Sequence, residues 1–238
     1  MTKLWSVDRV LPLVLIGMTA VTGLLDAVSF LGLGHVFTAN MTGNVVFLAF
    51  AIAGVAKVSV GRSFTALLAY LAGATLGGRI MARSESSSPV RSALFVFVIE
   101  FVLLSCATIC AIGCVEDVPK YPSQLYWIIA FTAVAMGMRN ATVRKLGVPE
   151  LTTTVLTMTI TGLAADSPLA EGSNRGWRRR IAGVVAMFTG AGFGALAIRH
   201  SVFLAMAIAS GISLLSTFIL ILALRASAPA SSQRQVAA

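Results

Sequence analysis

An all-α, polytopic membrane fold is what this sequence predicts: six full spans plus two short half-membrane segments, arranged in two repeats. Three observations predict it. Hydrophobic residues make up 57% of the 238 and charged residues 11%, with a mean hydropathy of +0.89, whereas a soluble domain carries about 25% charge. Apolar runs alternate with short polar loops, and most reach the roughly 20 residues a helix needs to cross hydrocarbon. The order long, short, long, long then occurs twice along the chain. The net charge of +9 is carried mainly by loops, where Lys and Arg set topology and meet anionic headgroups. That placement argues against nucleic acid as a partner.

Leu11–Leu33 is the first span, longer than a signal-peptide core and followed by no small-x-small cleavage site, so it is expected to be retained. Met41–Ala56 is short, about 24 Å as a helix against about 30 Å of hydrocarbon. Phe64–Ala82 is a full span with Gly73 and Gly77 spaced for close helix packing. The serine-rich loop Arg83–Arg91 contains Pro89 and reads as a solvated turn. Ser92–Cys114 holds Glu100, and its three cysteines, Cys106, Cys110 and Cys114, share one helix face by their spacing. Without a histidine beside them they read as packing residues rather than a metal site. Leu125–Val143 opens with Tyr126 and Trp127 as interfacial anchors and carries Arg139 and Asn140 toward its end. Leu151–Ala165 is the second short segment, about 22 Å as a helix, with threonines at 152, 153, 154, 157, 159 and 161. The polar loop Asp166–Arg180 precedes the last spans, Ile181–Ile198 and Val202–Leu224. The tail, 226–238, is small and polar and is expected to be disordered.

Matches at a nearly constant offset suggest the repeat, with halves at about 11–114 and 125–225 in a single transmembrane domain, 1–225. Asp26-Ala27 aligns with Asn140-Ala141, Leu31-Gly32 with Leu146-Gly147, and Thr42 with Thr157. Gly73-Ala-x-x-Gly77 aligns with Gly190-Ala-x-x-Gly194. Basic residues then choose between six and eight spans. If the short segments dip in and return, the N-terminal side collects 14 of the 18 Lys and Arg, leaving Lys57, Arg62, Lys120 and Arg199 opposite. Eight spans would divide them 11 to 7. The stronger positive-inside bias favours six spans with both termini cytoplasmic, in the inner membrane. Three spans per half would make the repeats inverted, a common transporter plan.

Polar side chains at membrane depth mark the candidate site, because they are costly in hydrocarbon unless they face a bundle interior or cavity. Asp26 is read as pairing with Arg139, holding a cation or proton, or capping a helix end. Thr38, Asn40, Thr42 and Asn44 follow a break at Gly32, Gly34 and His35, and Asn and Thr are strong helix caps. A half-helix N-terminus there could hold an anionic group. Glu100 is either a proton site or a snorkelling residue, and His35 reads as a loop residue. Arg139, Asn140, Thr153 and Thr157 complete the set, and a midplane cavity is expected where Asn40, Thr42 and Asn44 meet Thr153 and Thr157.

The phrase Gly-x-x-Asp-Ala-Val-Ser-Phe through Ala-Asn-Met-Thr-Gly-Asn resembles the signature of the YoaK-like family of bacterial integral membrane proteins, carried here by Gly23, Asp26, Gly34, Phe37, Asn40, Met41, Thr42, Gly43 and Asn44. The resemblance, over about residues 11–225, implies a multi-span inner-membrane protein of undefined biochemistry and transfers no site residues. The residues themselves suggest a secondary transporter or permease for a small metabolite, an anionic one among the candidates, with the lipid bilayer as its other partner. A structural or assembly protein is the rival. A membrane enzyme is third, since no hydrolase or metal motif lies on any span. No cofactor is expected, and a homo-oligomer is left open.

Overall fold

The computed structural model describes residues 6–54, 58–83, 88–113, 122–147 and 156–227, without the side chain of Pro122. Among these residues the chain is helical, with no strand. The helices are α1 (Val7–Gly32), α2 (Met41–Ile52), α3 (Val60–Ala82), α4 (Pro89–Cys110), α5 (Pro122–Leu146), α6 (Leu156–Ala165), α7 (Trp177–Ile198) and α8 (Val202–Ala226), with a short 3-10 turn at Pro168–Ala170. Five of them, α1, α3, α4, α7 and α8, are long and apolar enough to cross a membrane. The sixth long helix, α5, has 25 residues; Tyr126, Trp127, Arg139 and Asn140 lower its hydropathy, and α3 and α4 pack along it.

Several boundaries differ from the sequence expectation for local reasons. Pro89 belongs to α4 rather than the loop, at the helix's first position, where its missing N–H costs nothing. Helix α4 ends at Cys110, so Cys106 and Cys110 alone share its face and Cys114 lies outside the described residues. Helix α2 stops at Ile52, and α6 is described from Leu156. At 12 and 10 residues they extend about 18 and 15 Å. The region 226–238 is described only through Ser227, with Ala226 closing α8.

Parallel pairing of long helices organises the bundle. Gly73 and Gly77 of α3 face the backbone of Val134 and Met138 on α5, an unchanging offset that makes the two helices parallel. Gly190 and Gly194 of α7 face Ala20 and Leu24 of α1 in the same way. A Cβ on Gly77 would stand 2.6 Å from the Met138 carbonyl oxygen, and one on Gly194 2.8 Å from that of Leu24. Only glycine lets these backbones approach so closely. Helices α4 and α8 pack on each other and on the inner pair, α4 against α5 and α8 against α1.

The ends of the bundle differ in chemistry. One pole joins the start of α1 and α4 to the end of α5 and α8 through Val10, Leu11, Val14, Phe97, Val143, Leu220 and Ala223. Arg9, Arg91, Arg144, Lys145 and Arg225 lie on these helix ends. At the other pole Phe30 stacks on Phe37, 5.4 Å between ring centroids, and Phe37 on Phe47, 5.5 Å. There the Gly34 backbone touches the guanidinium of Arg62, near the start of α3, and Gly61 adjoins the Tyr126 hydroxyl near the start of α5. The chain therefore leaves α1 and begins α3 at the same pole, and α2 does not cross. Because α5 ends and α7, parallel to α1, begins at the basic pole, α6 does not cross either. Large apolar side chains such as Leu71, Phe95, Phe188 and Phe218 point outward, as a lipid-facing surface requires.

Candidate functional site

Four helices meet at the middle of the bundle around a buried charge pair. Met18, Glu100 and Ser213 are each the twelfth residue of their helix, and the side chain of Arg139 on α5 reaches them all. Its Nε donates to Glu100 Oε2 at 2.8 Å, and Nη2 forms an ion pair with Glu100 Oε1. Nη1 donates to the Met18 carbonyl at 2.6 Å and to Thr22 Oγ1 at 2.8 Å. These bonds engage four of the five guanidinium N–H donors. The Ser213 hydroxyl donates to Glu100 Oε1 at 3.1 Å from α8. Glu100, Arg139 and Ser213 are wholly buried and Thr22 nearly so.

This network lies at the seam between two apolar clusters. Phe97 on one side of Glu100 belongs to the cluster at the basic pole, and Leu104 on the other to the second cluster. Met18 and Val21 are divided likewise on α1, as are Met136 and Val143 on α5. A bidentate, charge-assisted pair in such a layer is short and strong, and removing one member would leave an unpaired charge in a dry interior.

Arg139 therefore pairs with Glu100 and not with Asp26, which corrects the sequence expectation. Glu100 does not snorkel to an interface, because it starts at mid-depth and points inward. Arg139 was counted among the topology-setting charges, but it is no loop residue; the division becomes 13 to 4.

Asp26 lies one turn beyond Thr22 on α1, 8% exposed, and its Oδ1 accepts from the backbone N–H of Ala39 at 3.2 Å. It thereby ties the loop after α1 back onto the helix. That loop forms because Gly34 (φ 85) and His35 (φ 58) take the left-handed region, favoured by glycine and costly for other residues. Asn44 holds the loop from α2: its Oδ1 accepts from Phe37 N–H at 2.8 Å, and its Nδ2 donates to the Phe37 carbonyl. Asn44 is wholly buried and makes both bonds to the backbone, as an internal clamp does. Asn40 caps α2, its side chain accepting from Gly43 N–H at 3.4 Å; it and Thr42 are exposed. Thr38 is buried in the same loop.

The expected meeting of the two short segments does not occur among the described residues. Helix α2 packs on α3 and α6 packs on α7; Thr157 is exposed on α6, and Thr153 lies outside the described residues. Asn140, the counterpart of Asp26 by offset, donates from Nδ2 to the Tyr70 hydroxyl at 2.6 Å. Of the candidate residues, the structure joins Glu100 to Arg139, and Asn40, Asn44 and Thr38 to one loop with Asp26.

Thr22, Ser213 and Tyr70 were not singled out from the sequence. Thr22 is four residues before Asp26 and so on its face, a signal that could have found it. Ser213 is one of several serines in an apolar run, with nothing in its neighbourhood to set it apart. The Met18 carbonyl carries no sequence signal at all.

Comparison with known proteins gives a family without a chemistry. No solved structure matches the chain. A curated relative, the "UPF0700 transmembrane protein YoaK" of Bacillus subtilis (strain 168), is 32% identical over 147 residues, covering 60% of this chain and 61% of the relative. The chain thus spans less than two thirds of that relative's length. The family model described as "Protein of unknown function (DUF1275)" matches residues 14–219. On that match, and as the resemblance in Gly23–Asn44 implied, the chain belongs to the YoaK-like DUF1275 family of multi-pass membrane proteins.

Proposed function

We propose that this protein is a secondary transporter or permease for a small metabolite, without enzymatic activity, placed in the bacterial inner membrane with both termini cytoplasmic. The observation that carries the reading is the Glu100–Arg139 pair, wholly buried at mid-depth where α1, α4, α5 and α8 meet. Intramembrane ionisable residues are expensive and mark solute or ion pathways. A carboxylate and a guanidinium in contact can be separated by a solute that supplies its own charge; an anionic group would compete with Glu100 for Arg139. Asp26, one helical turn from Thr22 toward the aromatic pole, would lie on the approach to it.

Inverted repeats support the same reading. Gly23 of α1 faces Met187 and Ala191 of α7, and Gly137 of α5 faces Tyr70 and Ala74 of α3. Each residue of the first contact is offset from its counterpart in the second by 114 or 117 positions. Each half would thus lend its third helix to the other half's first. Short segments at corresponding places in two inverted halves are the usual pointer to a transport site.

A second reading, a structural or assembly protein, is favoured by one observation: four of the arginine's five N–H donors are held by internal bonds, as in a pair kept for packing specificity. Flux decides between them. Purified protein in proteoliposomes is offered a pool of labelled carboxylates, amino acids and phosphate esters. Transport predicts uptake of at least one, lowered at least tenfold by Glu100→Gln plus Arg139→Gln when that variant melts like the parent. Absence of uptake across the pool, with intact folding, favours the structural reading.

A further inference from the structure

At the basic pole, a groove of about 410 Å³ runs between the start of α4 and the end of α8, lined by Arg91, Leu94, Ile221, Leu224 and Arg225. The two arginines come from helix ends 134 positions apart in the chain, and each stands about one turn above an apolar residue of the same groove. Leu94 follows Arg91 by three positions, and Ile221 precedes Arg225 by four, the spacing that stacks side chains on one helix face. Arg91 is the third residue of α4 and Arg225 the penultimate residue of α8, so both stand where the apolar helices give way to polar chain. Their heads are exposed, whereas Leu94, Ile221 and Leu224 are half-buried.

We propose that this groove binds one anionic phospholipid, its phosphate between Arg91 and Arg225 and an acyl chain along Leu94 and Ile221. Each part of the groove matches a part of that ligand. Guanidinium groups present planar forks suited to phosphate oxygens. The apolar floor beneath them continues into the lipid-facing surface, which suits an acyl chain and gives a free anion nothing to hold. The surrounding field favours negative charge: the described ends of these four helices carry Arg9, Arg91, Arg144, Lys145 and Arg225 against Asp8 alone. Basic pockets between spanning helices are recognised lipid headgroup sites. The site adjoins no part of the mid-depth ion pair, so it stands whether or not the protein moves a solute.

The test uses full-length protein in detergent, titrated with phosphatidylglycerol, phosphatidylcholine or inorganic phosphate, and read by lipid retained in native mass spectrometry and by melting temperature. Phosphatidylglycerol should be retained at one molecule per chain and raise the melting temperature, as a ligand of the folded state does; the other two should do neither. Arg91→Gln with Arg225→Gln should weaken phosphatidylglycerol binding roughly thirty-fold, and each single variant about five-fold, the usual worth of one basic side chain near anionic lipid. Arg144→Gln with Lys145→Gln, at the same pole but off the groove, should change it less than three-fold. Equal losses in both double variants would reduce the site to a diffuse basic surface and overturn the proposal. Equal stabilisation by inorganic phosphate would make it a free-anion site and overturn it too. If the double variant fails to fold, the single variants decide by the same titration.

Discussion

A buried charge is affordable only with its partner, so the sharpest expectations attach to Arg139. Replacing Glu100 by Gln should leave the guanidinium without a counter-ion and destabilise the fold by about 3–5 kcal/mol. Adding Arg139→Gln should return much of that loss, and a double-mutant cycle on melting free energies measures the coupling. The same cycle for Asp26→Asn with Arg139→Gln should be additive, since Asp26 bonds the Ala39 N–H instead. Asn44→Ala should lower the stability of the ligand-free protein by about 1–3 kcal/mol, because two backbone groups of Phe37 lose their partner; unchanged melting would remove the clamp. The sequence revealed that Asp26, Glu100 and Arg139 are unusual, because composition at membrane depth is read directly. It did not reveal who pairs with whom. Asp26 and Glu100 both lie on other spans than Arg139, and helix rotation, which packing fixes, decides which carboxylate the guanidinium meets.

Among the elements, glycine spacing was the most informative local pattern. Gly73 and Gly77 stood out as close-packing positions, with Gly190 and Gly194 as their counterparts by offset, and all four are backbone contacts. What the spacing could not supply was the partner helix, since any helix with a small-residue face would serve. Substitution by Val at Gly137 or Gly190 should overpack the α3–α5 or α1–α7 interface and cost about 1–3 kcal/mol or more. Ala at Gly183 or Gly211, where a Cβ meets open space, should be neutral or slightly stabilising through helix propensity. Equal effects at the two kinds of site would refute the interface assignment. The short helices α2 and α6 were legible as returning segments, because their length falls short of the hydrocarbon and the loop charges favour six spans over eight. Their failure to meet was not, since each packs on the long helix that comes after it in the chain, a choice made by packing.

For the whole molecule, the loop charges and the parallel pairs lead to one topology. With α2 and α6 returning to the pole they leave, and the basic pole cytoplasmic as proposed, residue 59 should face the periplasm and residue 173 the cytoplasm. Single cysteines at Ser59 and Ser173, in a background lacking Cys106, Cys110 and Cys114, should react with an impermeant thiol reagent from opposite sides of the membrane. Labelling from the same side would restore eight crossings. The number of long helices and their polar loops could be read from hydropathy, because bilayer thickness imposes a length. The pairing of α1 with α7 and of α3 with α5 could not, since it is a property of helices far apart in the chain.

The pairing of α1 with α7 also sets a timetable for assembly. Gly23 meets Met187, 164 positions later, so at about 5–20 residues per second α1 waits roughly 8–33 s for the helix that seals its glycine face. Helix α3 waits less, since Val134 follows Gly73 by 61 positions. During that interval the face of α1 around Gly23 meets whatever the insertion machinery or the bilayer offers. A chain arrested before α7 emerges should therefore be more readily degraded than one arrested before α8, because the last helix adds a flank to α1 whereas α7 closes it.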